Sequence, residues 1–391
     1  MVLFVYPLLI LMVWRGSRMY MGGVWNEDAF SLEQMKAVQG FTAVCIMLHH
    51  IGQQTCAPWL DPEIISPGLE VFVPIGFYMV GIFLFCSGYG LYVSYKNKKD
   101  YLNGFIVHRI LPVVFSGYVV TLIFLVVRIL LGEDMGGGRL FWYLSCAKLC
   151  NPNGWFVLII PIFYLAFYLA FRFCKKERNA VLAVLAFTVF YQLLGTSIDH
   201  NDWWMRGEWW YNSIHFFVIG IIFARHKDRI TEHLKKHFVL YLILSFVLIF
   251  VLYGVSELCR NVISYYGENW GDPHTILRRR ITLFSEMCAS FAFVFFVFHL
   301  GLKVKIGNRF LKFMGSLTLE FYLIHGLYVG LFGRSFDGLK SLYHIDNVFV
   351  YVIVVFALGV PSAFVLGRLR MIVFGKKSSA GKLPEHVRSG Q

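Results

Sequence analysis

The sequence predicts an all-α, polytopic membrane helical bundle, and three observations carry that prediction. Hydrophobic residues make up 58% of the chain against 15% charged, with a mean hydropathy of +0.62, far above the apolar share of a water-soluble domain. Apolar runs of roughly 17 to 25 residues recur, each able to cross a hydrocarbon core of about 30 Å. Basic residues gather in every second connection between those runs, which is the pattern that orients membrane helices.

Residues 1–30 read as an N-terminal apolar segment and linker. Positions 2–14 are apolar and are followed by Arg15 and Arg18. This stretch is short for a span and lacks the charged start and small-residue exit of a cleavable signal, so a short extra helix or an interfacial one is expected. The body, residues 31–370, holds ten runs, at 35–51, 71–93, 110–131, 155–173, 180–194, 210–224, 238–255, 281–302, 316–332 and 348–366. About ten transmembrane helices follow. Residues 371–391 are polar and are expected as a cytoplasmic tail. No inverted internal repeat of the transporter kind is visible. Two connections, 133–153 and 257–279, are long enough to cover a site.

A formal charge of +13 raises the question of a nucleic-acid partner, and placement answers it. Lys96, Lys98, Lys99 and Arg109 share one connection; Lys175, Lys176 and Arg178 follow two connections later. Then come Arg225, Lys227, Arg229, Lys235 and Lys236, next Lys303, Lys305, Arg309 and Lys312, and last Arg368, Arg370, Lys376 and Lys377. The connections between hold acids as often as bases, such as Asp61 and Glu63, Glu133 and Asp134, or Asp199, Asp202 and Glu208. The charge therefore reads as orientation in a lipid bilayer, with both ends of the body cytoplasmic, and no nucleic-acid partner is expected. A multi-pass protein of the plasma membrane is the expected location. Arg278, Arg279 and Arg280 break the alternation beside Glu268 and Asp272, as an outer anchor or an anion site. The eight cysteines show no metal-ligand spacing. Cys56, Cys146, Cys150 and Cys259 fall in outer connections, as free thiols or as disulfide partners.

Ionisable groups inside spans are costly and mark function. The first body run carries Lys36 and Gln39 at its cytoplasmic end and His49 and His50 near its outer end. Eleven residues at about 100° each bring His50 to about 20° from the face of Gln39, with Lys36 about 40° off that face and His49 about 100° away. Gln39 and His50 are then about 16 Å apart along one face, the layout of a path through the bundle. Histidines at a helix end also serve as interfacial anchors. A second histidine, His325, lies mid-run at 316–332 with Thr318 and Tyr322 near its face; alone it reads equally as a hydrogen-bonded core residue. Two interior histidines on different runs, with no carboxylate chain between them, favour a reaction site over a proton wire. Two intramembrane acids, Glu286 and Glu320, suit pairing with Arg128 or with the Arg278 to Arg280 run, or orienting a histidine.

Five segments, in order, resemble the acyltransferase-3 family of membrane O-acyltransferases. That family's first span carries an arginine, ten residues and a histidine. Here the pattern falls on Gln39 to His50, so the histidine matches and the arginine does not. Ser87, Gly88 and Tyr89 are similar to the family's Ser-Gly-Tyr. The segment FIVHRILP resembles its arginine pair before Leu-Pro, with Arg109 and Pro112 matching and Ile106 replacing the first arginine. Trp155 and Phe156 match its Trp-Phe segment, and Gly315, Ser316, Tyr322 and His325 its late Gly-Ser to Tyr-Leu-x-His segment.

The resemblance implies transfer of an acyl group, commonly acetyl, from acyl-CoA to a hydroxyl of an envelope glycan, lipid-linked sugar or similar acceptor. Acyl-CoA is then a co-substrate, with no tightly bound cofactor and no metal. An alcohol attacking a thioester needs a base near neutral pH, which suits histidine: His50 is expected as that base, and His325 as a group positioning the acceptor or stabilising the oxyanion. Lys36, Gln39, Arg109, Ser87 and Tyr89 are expected at the donor, whose phosphates need cations, with Lys36 standing in for the missing arginine. Trp155 and Tyr322 are expected at the acceptor. A secondary transporter or proton-coupled carrier using the same histidines is the rival class.

Overall fold

The computed structural model describes residues 2–200, 205–263 and 272–375; Asp202, Glu268, Lys376, Lys377 and the rest of the expected tail beyond Gly375 lie outside the described residues, whereas 371–374, expected as polar tail, continue the last helix to Phe374. Helices form along the apolar runs because a helix satisfies its own backbone in lipid. In chain order they are α1 (Val5–Trp14), α2 (Leu32–Thr55), α3 (Gly76–Asn97), α4 (Leu111–Leu130), α5 (Arg139–Leu144), α6 (Phe156–Phe173), α7 (Glu177–Ser197), α8 (His215–Arg225), α9 (Lys227–Lys236), α10 (Phe238–Leu258), α11 (Thr275–Leu300), α12 (Arg309–Ser316), α13 (Thr318–Phe332) and α14 (Val348–Phe374). Turns of π-helix, Ile106–Ile110 and Cys259–Ile263, extend α4 and α10. Side-chain caps start three of the helices. Ser31 accepts from the backbone N–H of Gln34 at 3.2 Å, Asn308 from that of Leu311 at 2.9 Å, and Asn347 from those of Phe349 and Val350, each satisfying amides a helix start leaves open.

All ten predicted runs are helical. Among the described residues, seven helices are long and apolar enough to cross a membrane: α3, α4 with its π-turn, α6, α7, α10 with its π-turn, α11 and α14. The other three runs form α2, α8 and α13. The last two are short, at 11 and 15 residues, and α2 is long but polar. These are also the enclosed helices. Every residue from Thr42 to Leu48 in α2 and from Glu320 to Leu327 in α13 is buried, so polar side chains there avoid lipid. By contrast α10 buries only Ser245 and Ser256 and faces outward.

Run boundaries shift in several places, with α3 starting at Gly76 and α14 running on to Phe374, and two other shifts have visible reasons. The run at 210–224 becomes helical only at His215, because the Ser213 hydroxyl donates to Phe77 O at 2.8 Å and Asn212 to Glu286 at 3.4 Å. The run at 281–302 starts early, at Thr275, because the arginines ahead of it bind the end of α7. Arg279 donates to Ile198 O at 2.7 Å, and Arg280 to the hydroxyls of Thr196 at 3.3 Å and Ser197 at 3.1 Å. Arg278 pairs with Asp272 at 2.8 Å.

Glycines set the closest helix crossings. α2 lies between α3 and α13, and α3 packs on α8. A Cβ on Gly220 would come within 2.8 Å of Tyr89 N, and one on Gly88 within 2.9 Å of the Phe217 carbonyl carbon, so the two backbones meet where only small residues fit. Likewise α12 lies across α2, with Gly40 facing the Gly315 amide at 2.8 Å from a Cβ position.

Ion pairs collect the connections at two ends. At the basic end Glu177 meets Lys96 at 3.0 Å and Arg225 at 3.4 Å, Lys235 meets Glu27 at 2.8 Å, and Lys305 meets Asp28 at 2.5 Å. A two-residue ladder, Arg18–Met19 with Val304–Lys305, adds the N-terminal linker. At the opposite end Arg128, 2% exposed, binds Glu133 at 2.9 Å, Cys150 O at 2.8 Å and Asp337. Asp337 and Gly338 both have positive φ, in a tight hairpin joining Ser335–Phe336 to Leu339–Lys340, the geometry Asp-Gly favours. The two intramembrane acids pair neither with Arg128 nor with Arg278 to Arg280. Glu320 meets Arg370 at 3.0 Å, and Glu286 meets Arg260 at 3.7 Å. All eight cysteines are free thiols.

Candidate active site

His50 sits in the last turns of α2, and its ring meets that of His325 from α13. The rings are nearly coplanar, 7° apart with centroids at 4.9 Å, and His50 Nδ1 lies 2.7 Å from His325 Nε2. His325 is fully buried, and its Nδ1 lies 2.8 Å from Phe321 O on the preceding turn. A carbonyl only accepts, so His325 Nδ1 carries its hydrogen and, in the neutral ring, Nε2 carries the lone pair. His50 Nδ1 therefore donates to His325. The lone pair of neutral His50 is left on Nε2, the nitrogen that makes no hydrogen bond within the described residues.

A cavity of about 870 Å³ opens beside this pair, at the end of the bundle opposite the basic connections. It is within the range of ligand sites, roughly 300 to 1,000 Å³. One wall is His49, His50 and Gln53 of α2 with Tyr322 of α13; another is Asn153 and Trp155; the far wall is Arg206, Glu208, Trp209, Tyr253, Glu257, Arg260 and Glu286. The Asn-Pro-Asn-Gly turn before α6 is stapled to α13. Tyr322 OH donates to Asn153 O at 2.5 Å, Asn151 Nδ2 to Leu323 O at 3.0 Å, and Asn153 N to Asn151 Oδ1 at 3.0 Å. Arg260 meets Glu257 at 2.5 Å as well as Glu286. Outside the spans, burial and the neighbouring Arg279 cation bring the His200 imidazole down to about 4, so it lines the cavity as a neutral ring.

The structure thus brings together His50, His325, Tyr322 and Trp155. Trp155 is buried against Trp210, ring centroids 6.3 Å apart. His49, expected to point away, also lines the cavity, because the cavity wraps around the end of α2. Its Nδ1 donates to Phe72 O at 2.9 Å, and its ring is 5.0 Å from that of His50. The donor candidates lie elsewhere. Lys36 O packs on Gly315 beneath α12, and Arg109 stands 5.6 Å over the Tyr101 ring. Ser87 Oγ is 3.2 Å from Tyr164 OH, and Tyr89 OH donates to Phe30 O at 3.1 Å, both beside the crossing of α3 and α8. On the face from Gln39 to His50, expected as a path, Thr42 to Leu48 are all buried within the bundle, and Ile46 lines the cavity beside His50. Arg206, Glu208, Arg260 and Asn153 escape sequence reasoning: they lie in connections or a π-turn, where no periodicity marks them. Glu286 alone carried a signal, as an acid inside a span.

Comparison with known proteins adds a single finding. The acyltransferase-3 family model, described as an acyltransferase domain, matches residues 32–368, from the first residue of α2 into α14. Neither the curated proteins nor the solved structures contain a match. The match takes in both histidine-bearing helices and every wall of the cavity, so the chain belongs to the acyltransferase-3 family and is a membrane acyltransferase.

Proposed function

We propose that this acyltransferase moves an acyl group, acetyl foremost, from cytosolic acyl-CoA to a hydroxyl of an envelope glycan or lipid-linked sugar. The observation that carries this reading is the hydrogen-bonded His50 and His325 pair beside the cavity. The acceptor hydroxyl gives its proton to His50 Nε2 as its oxygen attacks the thioester carbonyl. His325 holds the His50 ring in the required tautomer. The C–S bond then breaks, and the departing thiolate takes the proton back from His50, so the base is restored.

The acceptor enters from the cavity mouth, with Trp155 and Trp209 as faces for a sugar ring and Tyr322 and Asn153 along the wall beside His50. The donor phosphates stay at the basic end, near Lys36 and Arg109. The thin pantetheine arm reaches from there toward His50. The acceptor is best tested in cells, by mass spectrometry of envelope glycans and lipids from cells making the wild type, His50→Ala or no protein. An acyl mass present only with the wild type is the expected result; the same mass in the His50→Ala cells overturns the reading.

A further inference from the structure

A second cavity, of about 700 Å³, lies away from the histidines, in a groove between α1, α2 and α14. It exists because α1 is fastened at its two ends and not along its length. At one end Tyr6 OH donates to Gly68 O at 2.9 Å; at the basic end Asn308 Nδ2 donates to Met12 O at 2.7 Å and to Arg15 O at 2.9 Å. Over its whole length α1 buries only Val5 and Leu9, and of these only Leu9 lies between the two fastened ends. The groove walls are apolar, with Leu8, Met47 and Phe356 facing in from the three helices. Polarity is confined to the basic end, where Arg15 and Arg309 line the same space. Asn308 bonds to the Arg15 backbone carbonyl and precedes Arg309, so the backbone at the two arginines is held together at this end of the groove. Both are exposed, and neither makes an ion pair among the described residues.

An apolar slot beside the membrane-crossing α14, closed at its basic end by two guanidinium groups without an ion-pair partner among the described residues, is complementary to one kind of molecule. We propose that the groove holds an anionic phospholipid, with an acyl chain between α1 and the α2 and α14 wall and its phosphate on Arg15 and Arg309. Guanidinium binds phosphate through paired, charge-assisted hydrogen bonds, and basic pockets between spans on the cytoplasmic side suit anionic headgroups. Ordinary boundary lipid does not require both arginines, and this separates the two cases. The occupant is independent of the chemistry at His50.

The test uses full-length protein purified in mild detergent, as wild type, as the Arg15→Gln/Arg309→Gln pair and as Lys340→Gln, a basic residue away from the groove. Native mass spectrometry should find phosphatidylglycerol retained on the wild type and on Lys340→Gln, and at least about tenfold less on the double variant. Added phosphatidylglycerol should raise the melting temperature of delipidated wild type, whereas phosphatidylcholine and inorganic phosphate should not. Circular dichroism reports whether the double variant folds. If it does not, Leu8→Trp, which fills the slot with both arginines kept, should lose the lipid instead. Equal retention by the double variant and wild type, or equal stabilisation by phosphatidylcholine, overturns the proposal.

Discussion

His325 gives His50 its chemical direction. Its own Nδ1 is committed to Phe321 O, so it presents only a lone pair, and that fixes the His50 hydrogen on Nδ1. Removing each histidine should therefore have a different consequence. His50→Ala should lower the transfer rate by about 10² to 10⁴, the usual worth of a general base. His325→Ala should lower it less, and His325→Gln, whose amide oxygen can accept the same bond, should recover part of the loss. His49→Ala should have the smallest effect, since its Nδ1 is spent on Phe72 O. Rates measured on equal amounts of folded protein test the series; equal loss in all four variants contradicts the assignment. Helical phase in the sequence made His50 and His325 legible. It misplaced His49, because phase describes one helix and a cavity is shaped by several.

Elements are held by close crossings and by a charged clamp, and each makes its own prediction. Gly220→Val places branched carbons against Phe85 and Tyr89 of α3. Overpacking of this kind costs about 1 to 3 kcal/mol, so a lower melting temperature and lower yield are expected, against little change for Gly254→Val, where a Cβ meets nothing. The clamp is pH-dependent. Burial pushes the Glu133 carboxyl up, but hydrogen bonds from Arg128 and Tyr143 and the nearby Arg139 charge outweigh it, leaving Glu133 below the ordinary 4.5. A carboxyl depressed on folding stabilises above its unfolded value and loses that contribution as pH falls through the folded one. Glu133→Gln should therefore cost about 2 kcal/mol at pH 7, and the gap from wild type should close below about pH 4.5. Thermal unfolding in detergent from pH 7 to pH 3 measures this; a gap independent of pH contradicts it. The short enclosed helices α8 and α13 were legible as apolar runs, but their burial was not, since composition does not say which helix the others surround.

Across the whole molecule, charge placement in the sequence anticipated both ends of the bundle, and the ion pairs at each end gather the same connections. What the sequence left hidden is the far wall of the cavity, drawn from connections distant in the chain. Single cysteines replacing Lys98, Lys176, Lys235 or Lys305 should be protected from an impermeant reagent in intact cells, while those replacing Glu63 or Asp337 should react; the reverse pattern reverses the direction of transfer. The central claim is that His50 carries acyl transfer from a cytosolic donor. It is tested most directly in inverted membrane vesicles given labelled acetyl-CoA, scoring label in the glycan and lipid fractions. The wild type should incorporate label and His50→Ala, at equal protein level, should not; label incorporated by His50→Ala at the wild-type rate would contradict the account.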